Sequence, residues 1–440
     1  MAGSYYSETV HPPSVPRRPE LLAKLAFANK LGWLWVILNL GGCIAAGIYI
    51  DWQAVLREPL VSTVAIGMMV GPSIMPILYL WAQNKKEIGD LKETTRFGVY
   101  DKHHLRTLFQ ETMQKLGMPD DLRVYITADK SMNAMSVNLG WLSFFRSVNG
   151  IYLHRQVLHR LAPEEIQDLM GHEVGHYYKY YLVNQRFLSL SVVFGALQGL
   201  LVAQWFGMTS YFSVMVSFVV ASFFGFVGNA LWNRYGETIE YLCDDLGAHV
   251  GGVATSINGL LKVGLDAECQ LAIQKHALLA QKQGDLSVQS VMQAVEQATP
   301  LGRSTPEELK KAVDRVIKTQ QAKNNQSSIA GFFDYAWNSD SEDDVEDQVD
   351  AILAVQRALE SMPRLDWESL SSSPNEVMFY DYEVEQLVEM IESNPDDLLF
   401  RLPTEAGLEF DVHPPLRDRI LYLWYNRREI ENSTAVAYDF

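Results

Sequence analysis

Three long stretches without any charged residue stand out in the pattern of hydrophobic and polar positions. They cover residues 31–50, 59–84 and 187–233. A helix needs about 20 residues to cross the hydrocarbon of a bilayer. The first two stretches therefore each predict one membrane-spanning helix, and the third, with 47 residues, predicts two helices joined by a tight turn near residues 207–211. The alternative for each stretch is a helix buried in a protein core.

Lysine and arginine residues near the ends of these stretches indicate which side of the membrane each end faces. They are frequent in residues 1–30 and 85–96, whereas the loops between the paired spans contain only Arg57. Because positive charge is enriched in cytoplasmic segments, we expect both termini and the large polar regions in the cytoplasm. Residues 1–30 lack the apolar core of a cleavable signal and contain four prolines, which predicts an extended arm.

The polar regions on either side of the third stretch predict helices and a small β-sheet. Residues 122–128 and 150–158 have the pattern of strands. Pro163, which is followed by two glutamates, has the pattern of a helix start. Residues 233–261 predict a further helix. The expected fold class is therefore mainly α with a small β-sheet.

Acidic residues are concentrated towards the C-terminal end of the chain. Residues 331–412 contain 22 Asp and Glu against 3 Lys and Arg, so this segment accounts for the net charge of −17. Such a surface repels phosphate backbones, and we expect no nucleic-acid partner. The three cysteines, none of them in a CxxC pair, provide no disulfide framework.

Residues 171–176, Gly-His-Glu-Val-Gly-His, contain the motif HExxH. On a helix this spacing puts the imidazoles of His172 and His176 one turn apart on one face, where both can bind a single Zn²⁺ ion. Glu173 then lies beside the metal, where it can take a proton from a water molecule. Two histidines on a solvated helix face are the alternative. The motif predicts a zinc-dependent hydrolytic site.

A catalytic zinc ion usually has three protein ligands, so the motif leaves one ligand to be found. Glu240 and Asp244 are four residues apart after the fourth predicted span and present two carboxylates on one helix face. One can bind the metal while the other accepts a hydrogen bond from a ligand histidine. Glu237 and Asp245 are competing candidates, and a charged helix face without metal is a further alternative.

Taken together, these motifs resemble the HtpX family of membrane zinc endopeptidases, which are relatives of the CAAX prenyl endopeptidases. The resemblance consists of HExxH after two spans, two further spans, and the sequence Glu-Tyr-Leu-Cys-Asp-Asp-Leu-Gly-Ala at residues 240–248. Cys243 stands where the family usually has alanine. The resemblance implies that Glu240 is the third zinc ligand and that Asp244 supports the site.

Two shorter segments also resemble the family. Asn133, Ala134 and Met135 resemble the Asn-Ala-aromatic segment that borders the cleft, with methionine in place of the aromatic residue, and imply that the first two bind substrate. His413 begins a segment similar to the family's His-Pro-Pro-Leu-x-x-Arg. This similarity implies that His413 lies near the zinc and steadies the oxyanion, and that Arg419 pairs with a site carboxylate. A histidine that caps a helix beside two prolines is the alternative for His413.

The resemblance implies four transmembrane helices that carry a cytoplasmic zincin-type metalloprotease domain. Family members are typically much shorter, so we expect a helical, acidic insertion within that domain. We expect an extended arm at 1–30, membrane helices 1 and 2 at 31–84, and the first half of the protease domain at 85–186. Membrane helices 3 and 4 follow at 187–233, and the second half of the protease domain at 234–267. The insertion is expected at 268–400, and a C-terminal return to the protease domain at 401–440.

The implied function is that of an integral-membrane zinc endopeptidase that cleaves misfolded or membrane proteins in a bacterial inner membrane. Its partners would be protein or peptide substrates and the lipid bilayer. A CAAX-type prenyl-protein endopeptidase is the alternative within the superfamily, although such enzymes usually have more spans. A membrane adaptor, whose acidic insertion binds a protein partner, is the alternative of another class. Glu173 argues against the adaptor, because a purely structural zinc site needs no general base.

Overall fold

The computed structural model describes residues 11–128, 132–140, 145–208, 210–281, 342–373, 377–406 and 413–433. Contacts between residues divide the chain into two compact units. The first comprises Met1–Ser256, Val412–Pro414 and Tyr422–Phe440, and the second comprises Ile257–Asp411 and Pro415–Leu421. Most of the described residues are helical, and the remainder include short strands, as the sequence predicts.

Among the described residues, helices and strands alternate only in the first half of the chain. The helices of the described residues are α1 (Arg18–Tyr49), α2 (Trp52–Arg57), α3 (Pro59–Ala82), α4 (Lys102–Lys115), α5 (Val157–Arg160), α6 (Pro163–Val174), α7 (Val183–Arg186), α8 (Leu188–Trp205), α9 (Ser210–Asn233), α10 (Gly236–Gly251), α11 (Val253–Gln281), α12 (Glu342–Ser361), α13 (Asp381–Ser393) and α14 (Leu416–Asn432). The strands are β1 (Lys85–Glu87), β2 (Arg96–Phe97), β3 (Tyr100–Asp101), β4 (Val124–Thr127), β5 (Ala134–Val137) and β6 (Gly150–His154).

Three helices are long and apolar enough to cross a membrane, namely α1, α8 and the Tyr211–Asn233 part of α9. A fourth candidate is α3, in which the segments Pro59–Gly71 and Ile74–Ala82 are bent by 60° relative to each other. Pro72 lies in the break between the two segments and has no amide hydrogen for the helical ladder. The four predicted spans thus correspond to three continuous helices and one bent pair.

Small residues let α8 and α9 pack closely. A β-carbon at Gly199 would lie 2.5 Å from the Cα of Ser217, and one at Gly195 would lie 2.7 Å from the Cα of Ala221. Close backbone approach of this kind holds helices together where no water drives them to associate. Other faces of the candidate spans leave large apolar side chains exposed, as a lipid-facing surface does; they include Ile37, Ile48, Phe218 and Phe226.

Helix α1 begins well before its uncharged stretch. It has 32 residues, or about 48 Å of length, whereas the hydrocarbon of a bilayer is about 30 Å thick. The prediction that residues 1–30 form an extended arm is therefore wrong for residues 18–30. Pro19 lies in the first turn of α1, where its fixed φ suits a helix and its missing N–H needs no partner.

The main sheet of the first unit has the strand order β1-β4-β6-β5. The central strands β4 and β6 are parallel, and β1 and β5 pair antiparallel with them. All residues of the two central strands are buried, and both strands lie inside the segments predicted from sequence. Within the described residues, β5 is an edge strand, and it packs beside α6. The short strands β2 and β3 form a separate antiparallel pair.

Helices α6 and α10 cross closely because glycines lie where they meet. A β-carbon at Gly171 of α6 would lie 3.1 Å from the Cα of Gly247, and one at Gly247 of α10 would lie 2.8 Å from the carbonyl oxygen of Asp168. Gly175 has the same relation to Cys243, with 3.0 Å to its Sγ. The glycine inside the HExxH motif is therefore a packing requirement, and so is the small residue at 243.

Helix α6 ends in a π-helical turn, Gly175–Lys179. This turn ends the α-helical hydrogen bonding of α6 before the third predicted span. The Tyr177 carbonyl within it accepts hydrogen bonds from Asn138 Nδ2 at 3.0 Å and from Arg186 Nη2 at 2.9 Å. Asn138 directly follows β5, so the turn after the HExxH helix is tied to the end of the edge strand.

The second unit has its own core. Trp367 is fully buried, and its Nε1 donates to the Leu399 carbonyl at 3.0 Å. The ring of Phe400 packs on Gly264, where a β-carbon would come within 2.4 Å of it. The guanidinium of Arg364 bonds two carboxylates, those of Glu268 and Glu368.

The boundaries of this unit differ from those predicted. The expected helix over residues 233–261 is two helices, since Gly252 between α10 and α11 has φ of +93°, which only glycine adopts readily. The second unit then begins at Ile257, within α11, and not at residue 268. Residues 282–341 and 374–376 of the predicted insertion lie outside the described residues, and the rest of it is largely helical.

Replacing Gly247 by alanine should destabilise the protein by about 1–3 kcal/mol, because the added methyl meets a main-chain oxygen that cannot move away. Gly41 of α1 is the matched control, since a β-carbon there meets nothing within 4 Å. Thermal unfolding in detergent of both variants checks the prediction. Equal stability of Gly247→Ala and wild type would contradict the close crossing of α6 and α10.

Candidate active site

The two histidines of the HExxH motif point to one place. His172 is in the last turn of α6, and His176 is in the π-helical turn that continues it. Their Nε2 atoms lie 3.1 Å apart. His172 is buried, and the side chain of His176 is 26% exposed, so the pair lies at the edge of the protein interior.

Asp244 of α10 fixes the protonation of His172. Its Oδ1 lies 2.9 Å from His172 Nδ1. Because a carboxylate only accepts hydrogen bonds, Nδ1 carries the proton and donates it. In the neutral imidazole, Nε2 is then left with a lone pair that faces His176, which is the arrangement found in metal-binding histidines.

Glu240 brings a carboxylate from α10 to the same place. Its Oε1 lies 3.3 Å from His176 Nε2, and its Oε2 lies 3.5 Å from His172 Nε2. Among the described residues, these three side chains form the group of metal-binding type, with their ligand atoms all within 4.8 Å of one another. The sequence left Glu237 and Asp245 as competitors, but Glu237 is exposed and Asp245 pairs with Arg18.

The donor set fits a zinc ion. Zinc favours imidazole nitrogen and carboxylate oxygen in tetrahedral geometry, and two nitrogens about 2.1 Å from such an ion lie about 3.4 Å apart. The observed 3.1 Å between the histidine nitrogens is close to that value. Three protein ligands leave one position open, as catalytic zinc sites do.

The histidines and carboxylates of this site shift each other's pKa values strongly. Burial lowers the pKa of His172, but hydrogen bonds with Asp244 and Glu240 outweigh it and raise the pKa to about 10. Burial raises the pKa of Glu240, but bonds from His172, His176 and His413 outweigh it and bring the pKa well below its usual value. The carboxylates thus stabilise positive charge at the imidazoles, whether it is carried by a proton or by a metal cation that displaces it.

Glu173 is buried beside the ligands without being one of them. Burial raises the pKa of its carboxyl, and the positive charges of His176 and His172 oppose that rise. A carboxyl whose pKa moves towards neutrality transfers protons more effectively near pH 7. The position of Glu173 on the helix of the two histidines suits it to act on a group bound between them.

The two C-terminal residues predicted for the site differ in placement. His413 Nδ1 lies 3.0 Å from Glu240 Oε2, and the side chain of His413 is 55% exposed. Arg419 lies in the first turn of α14, in the stretch that belongs to the second unit. Its pairing with a site carboxylate stays a prediction.

The segment predicted to bind substrate leads into the edge strand. Asn133 Oδ1 accepts from the amide of Ala134 at 2.8 Å, and its carbonyl accepts from the amide of His154 at 3.1 Å. Ala134 is the first residue of β5. Asn133 therefore fixes the start of a strand that packs beside the helix of the metal ligands.

One half-buried carboxyl of the HExxH helix, that of Asp168, was missed by sequence reasoning. Asp168 lies four residues before His172 on α6 and accepts a hydrogen bond from Ser256 Oγ. Burial raises the pKa of Asp168 to about 7. The spacing of four from His172 places it one turn away on the same helix face, and this was the signal available in the sequence.

Two histidines of an HExxH helix and a glutamate from a second helix are the ligand set of a metallopeptidase. The sequence profile of peptidase family M48 matches residues 100–425, a range that contains this ligand set. The chain belongs to this family of metallopeptidases, which confirms the resemblance found in the sequence. Comparisons with curated proteins and with solved structures give no match.

Replacing Glu240 by alanine should reduce bound Zn²⁺ well below one ion per chain, because one of three converging ligand atoms is lost. Glu237, three residues earlier on α10, is exposed, so Glu237→Ala is the matched control and should retain the metal. Elemental analysis after gel filtration measures the content. Equal metal loss from both variants would refute the ligand assignment.

Replacing Asp244 by asparagine should lower Zn²⁺ affinity by about 10–100-fold, because an amide can donate as well as accept and no longer restricts His172 to the tautomer that presents Nε2. Competition with a chromophoric chelator measures the affinity. An unchanged affinity would mean that Asp244 does not orient the ligand.

Proposed function

We propose that the protein is an integral-membrane zinc endopeptidase with His172, His176 and Glu240 as metal ligands. The observation that carries the proposal is the convergence of these three ligand atoms within 4.8 Å of one another, beside the buried Glu173 of the same HExxH motif. Membership of peptidase family M48 supports it.

A zinc ion held by these ligands supplies Lewis acidity, which polarises the scissile carbonyl and makes a water molecule acidic enough to react near neutral pH. Asp244 contributes by keeping the proton of His172 on Nδ1, so that Nε2 stays available. The carboxylate of Glu240 balances part of the charge in a site largely removed from water.

Glu173 and His413 act on the reacting groups. Glu173 takes a proton from the attacking water and passes it to the nitrogen of the leaving amine, which returns the carboxylate to its starting form. His413, half exposed and next to Glu240, donates a hydrogen bond to the oxyanion as it forms. Together these roles complete one cycle of peptide hydrolysis.

Substrate binding follows from the edge strand. An extended peptide that adds to β5 uses main-chain hydrogen bonds, which do not depend on its sequence. Asn133 precedes that strand and Ala134 begins it, beside the helix of the proposed ligands. Unfolded or extended segments of misfolded and membrane proteins have the backbone freedom to pair in this way, so we assign the enzyme to protein quality control.

The membrane arrangement we propose has four spans, with the bent α3 counted as one. The excess of Lys and Arg in residues 1–30 and 85–96 favours a cytoplasmic site and cytoplasmic termini. A bacterial inner membrane fits four spans by analogy with the resembled family. A protein partner for the acidic insertion, and the adaptor function built on it, stay predictions from the charge of residues 331–412.

Replacing Glu173 by glutamine should abolish proteolysis while zinc stays bound, because the change removes the base and no ligand. The variant, the wild type and the wild type treated with chelator are compared on an unfolded membrane-protein segment, with zinc content measured in parallel. Cleavage by Glu173→Gln at the wild-type rate would refute the mechanism.

The same assay separates the two peptidase alternatives. A short peptide ending in a prenylated CAAX sequence is offered beside the unfolded segment at equal concentration. Faster cleavage of the unfolded segment is expected, since edge-strand pairing does not require a lipid group. Preference for the prenylated peptide would instead establish the CAAX-type activity.

A further inference from the structure

An ion pair joins the start of the first helix to the helix of the third ligand. Arg18 is the first residue of α1, and its Nε bonds Asp245 Oδ2 of α10, 227 positions away in sequence. The side chain of Arg18 is 18% exposed and that of Asp245 is 3% exposed. The pair is therefore largely shielded from water, where electrostatic attraction is stronger.

The partners of α10 lie on different sides of that helix. Asp244 bonds His172 of α6, whereas its neighbour Asp245 bonds Arg18 of α1. Consecutive residues of a helix point about 100° apart, so the two carboxylates connect α10 to two different helices. The ligand Glu240 lies one turn before Asp244 and is held by the same connections.

The backbone at Arg18 is itself fixed. The amide of Arg18 donates to Asn426 Oδ1 at 3.1 Å, and Asn426 Nδ2 donates to the Pro16 carbonyl at 3.2 Å. Asn426 is 2% exposed. The side chain of one buried residue of α14 thus holds both ends of the turn that begins α1, and Arg18 reaches Asp245 from an anchored position.

The buried charge of Asp245 is compensated mainly by Arg18. Its second oxygen, Oδ1, is buried and has no hydrogen-bond partner among the described residues. Lys179 and His249 contribute positive charge from farther away. A buried ion pair adds little net stability compared with apolar residues of the same size, but loss of one partner leaves an uncompensated charge. Such a pair defines position more than it adds stability.

We propose that Arg18 is a positioning residue for the metal site: its ion pair with Asp245 fixes α10 against α1 and so sets the positions of Glu240 and Asp244. The inference rests on the proposed function, because it requires that Glu240 be a metal ligand. It gives α1 a second role beside that of a membrane span.

The test compares full-length wild type with Arg18→Gln and Arg18→Lys in detergent. Zn²⁺ affinity is measured by chelator competition, and the visible absorption of Co²⁺ bound in place of zinc reports the geometry of the ligands. Arg18→Gln should lower Zn²⁺ affinity about 10-fold or more, within the range for groups that orient ligands, and should change the Co²⁺ spectrum. Arg18→Lys, which keeps the cation, should restore most of both.

Arg364→Gln is the control for a merely structural effect. Arg364 is also 18% exposed and bonds two carboxylates, but it and both of its carboxylate partners belong to the second unit. This variant should lower the unfolding temperature and leave both metal readouts unchanged. If Arg18→Gln does not fold, Asp245→Asn replaces it, because it keeps the shape of the side chain and removes the charge that Arg18 binds.

Two negative results are distinguishable. Wild-type protein that binds no Zn²⁺ would overturn the proposed function. Wild-type protein that binds Zn²⁺, with Arg18→Gln equal to it in affinity and in Co²⁺ spectrum, would overturn the positioning role alone.

Discussion

The site depends on the short distance between α6 and α10. The imidazoles of His172 and His176 come from α6 and the turn that follows it, and the carboxylates of Glu240 and Asp244 come from α10. The side chains of aspartate and glutamate are short, so they meet the imidazoles only if the two backbones approach closely. Gly171 and Gly247 allow that approach, because a side chain on either would meet the other helix at about 3 Å. The imidazoles and carboxylates that meet between the helices are stable there because each imidazole pairs with a carboxylate.

Local spacing in the sequence was enough to select the candidate residues for the site. HExxH sets two imidazoles on one helix face, and four residues between Glu240 and Asp244 set two carboxylates on another. These patterns depend only on the geometry of a single helix. Choosing among the carboxylates needed more than spacing, since Glu237, Glu240 and Asp245 all lie on the same helix. The fold separates them, because Glu237 is exposed, Glu240 faces the histidines and Asp245 faces α1.

Features that depend on distant contacts were not predictable in this way. The start of α1 at Arg18 is stabilised by Asn426 and Asp245, which are hundreds of residues away. The four prolines of the first 30 residues favoured an extended arm. In the structure, one of them, Pro19, lies in the first turn of α1. The second unit likewise begins inside a continuous helix, where no turn residue or change in composition marks the boundary.

The apolar stretch that begins at residue 31 and the polar residues before it belong to one continuous helix, α1. On the proposed membrane arrangement, the apolar stretch of residues 31–50 matches a hydrocarbon about 30 Å thick, and a bilayer of another thickness changes the tilt of the helix. Tilt of a helix moves its ends, and Arg18, which we propose to position α10, is the first residue of α1. On that proposal we expect the thickness of the surrounding lipid to change the geometry of the metal site through α1, with no lipid molecule entering the site.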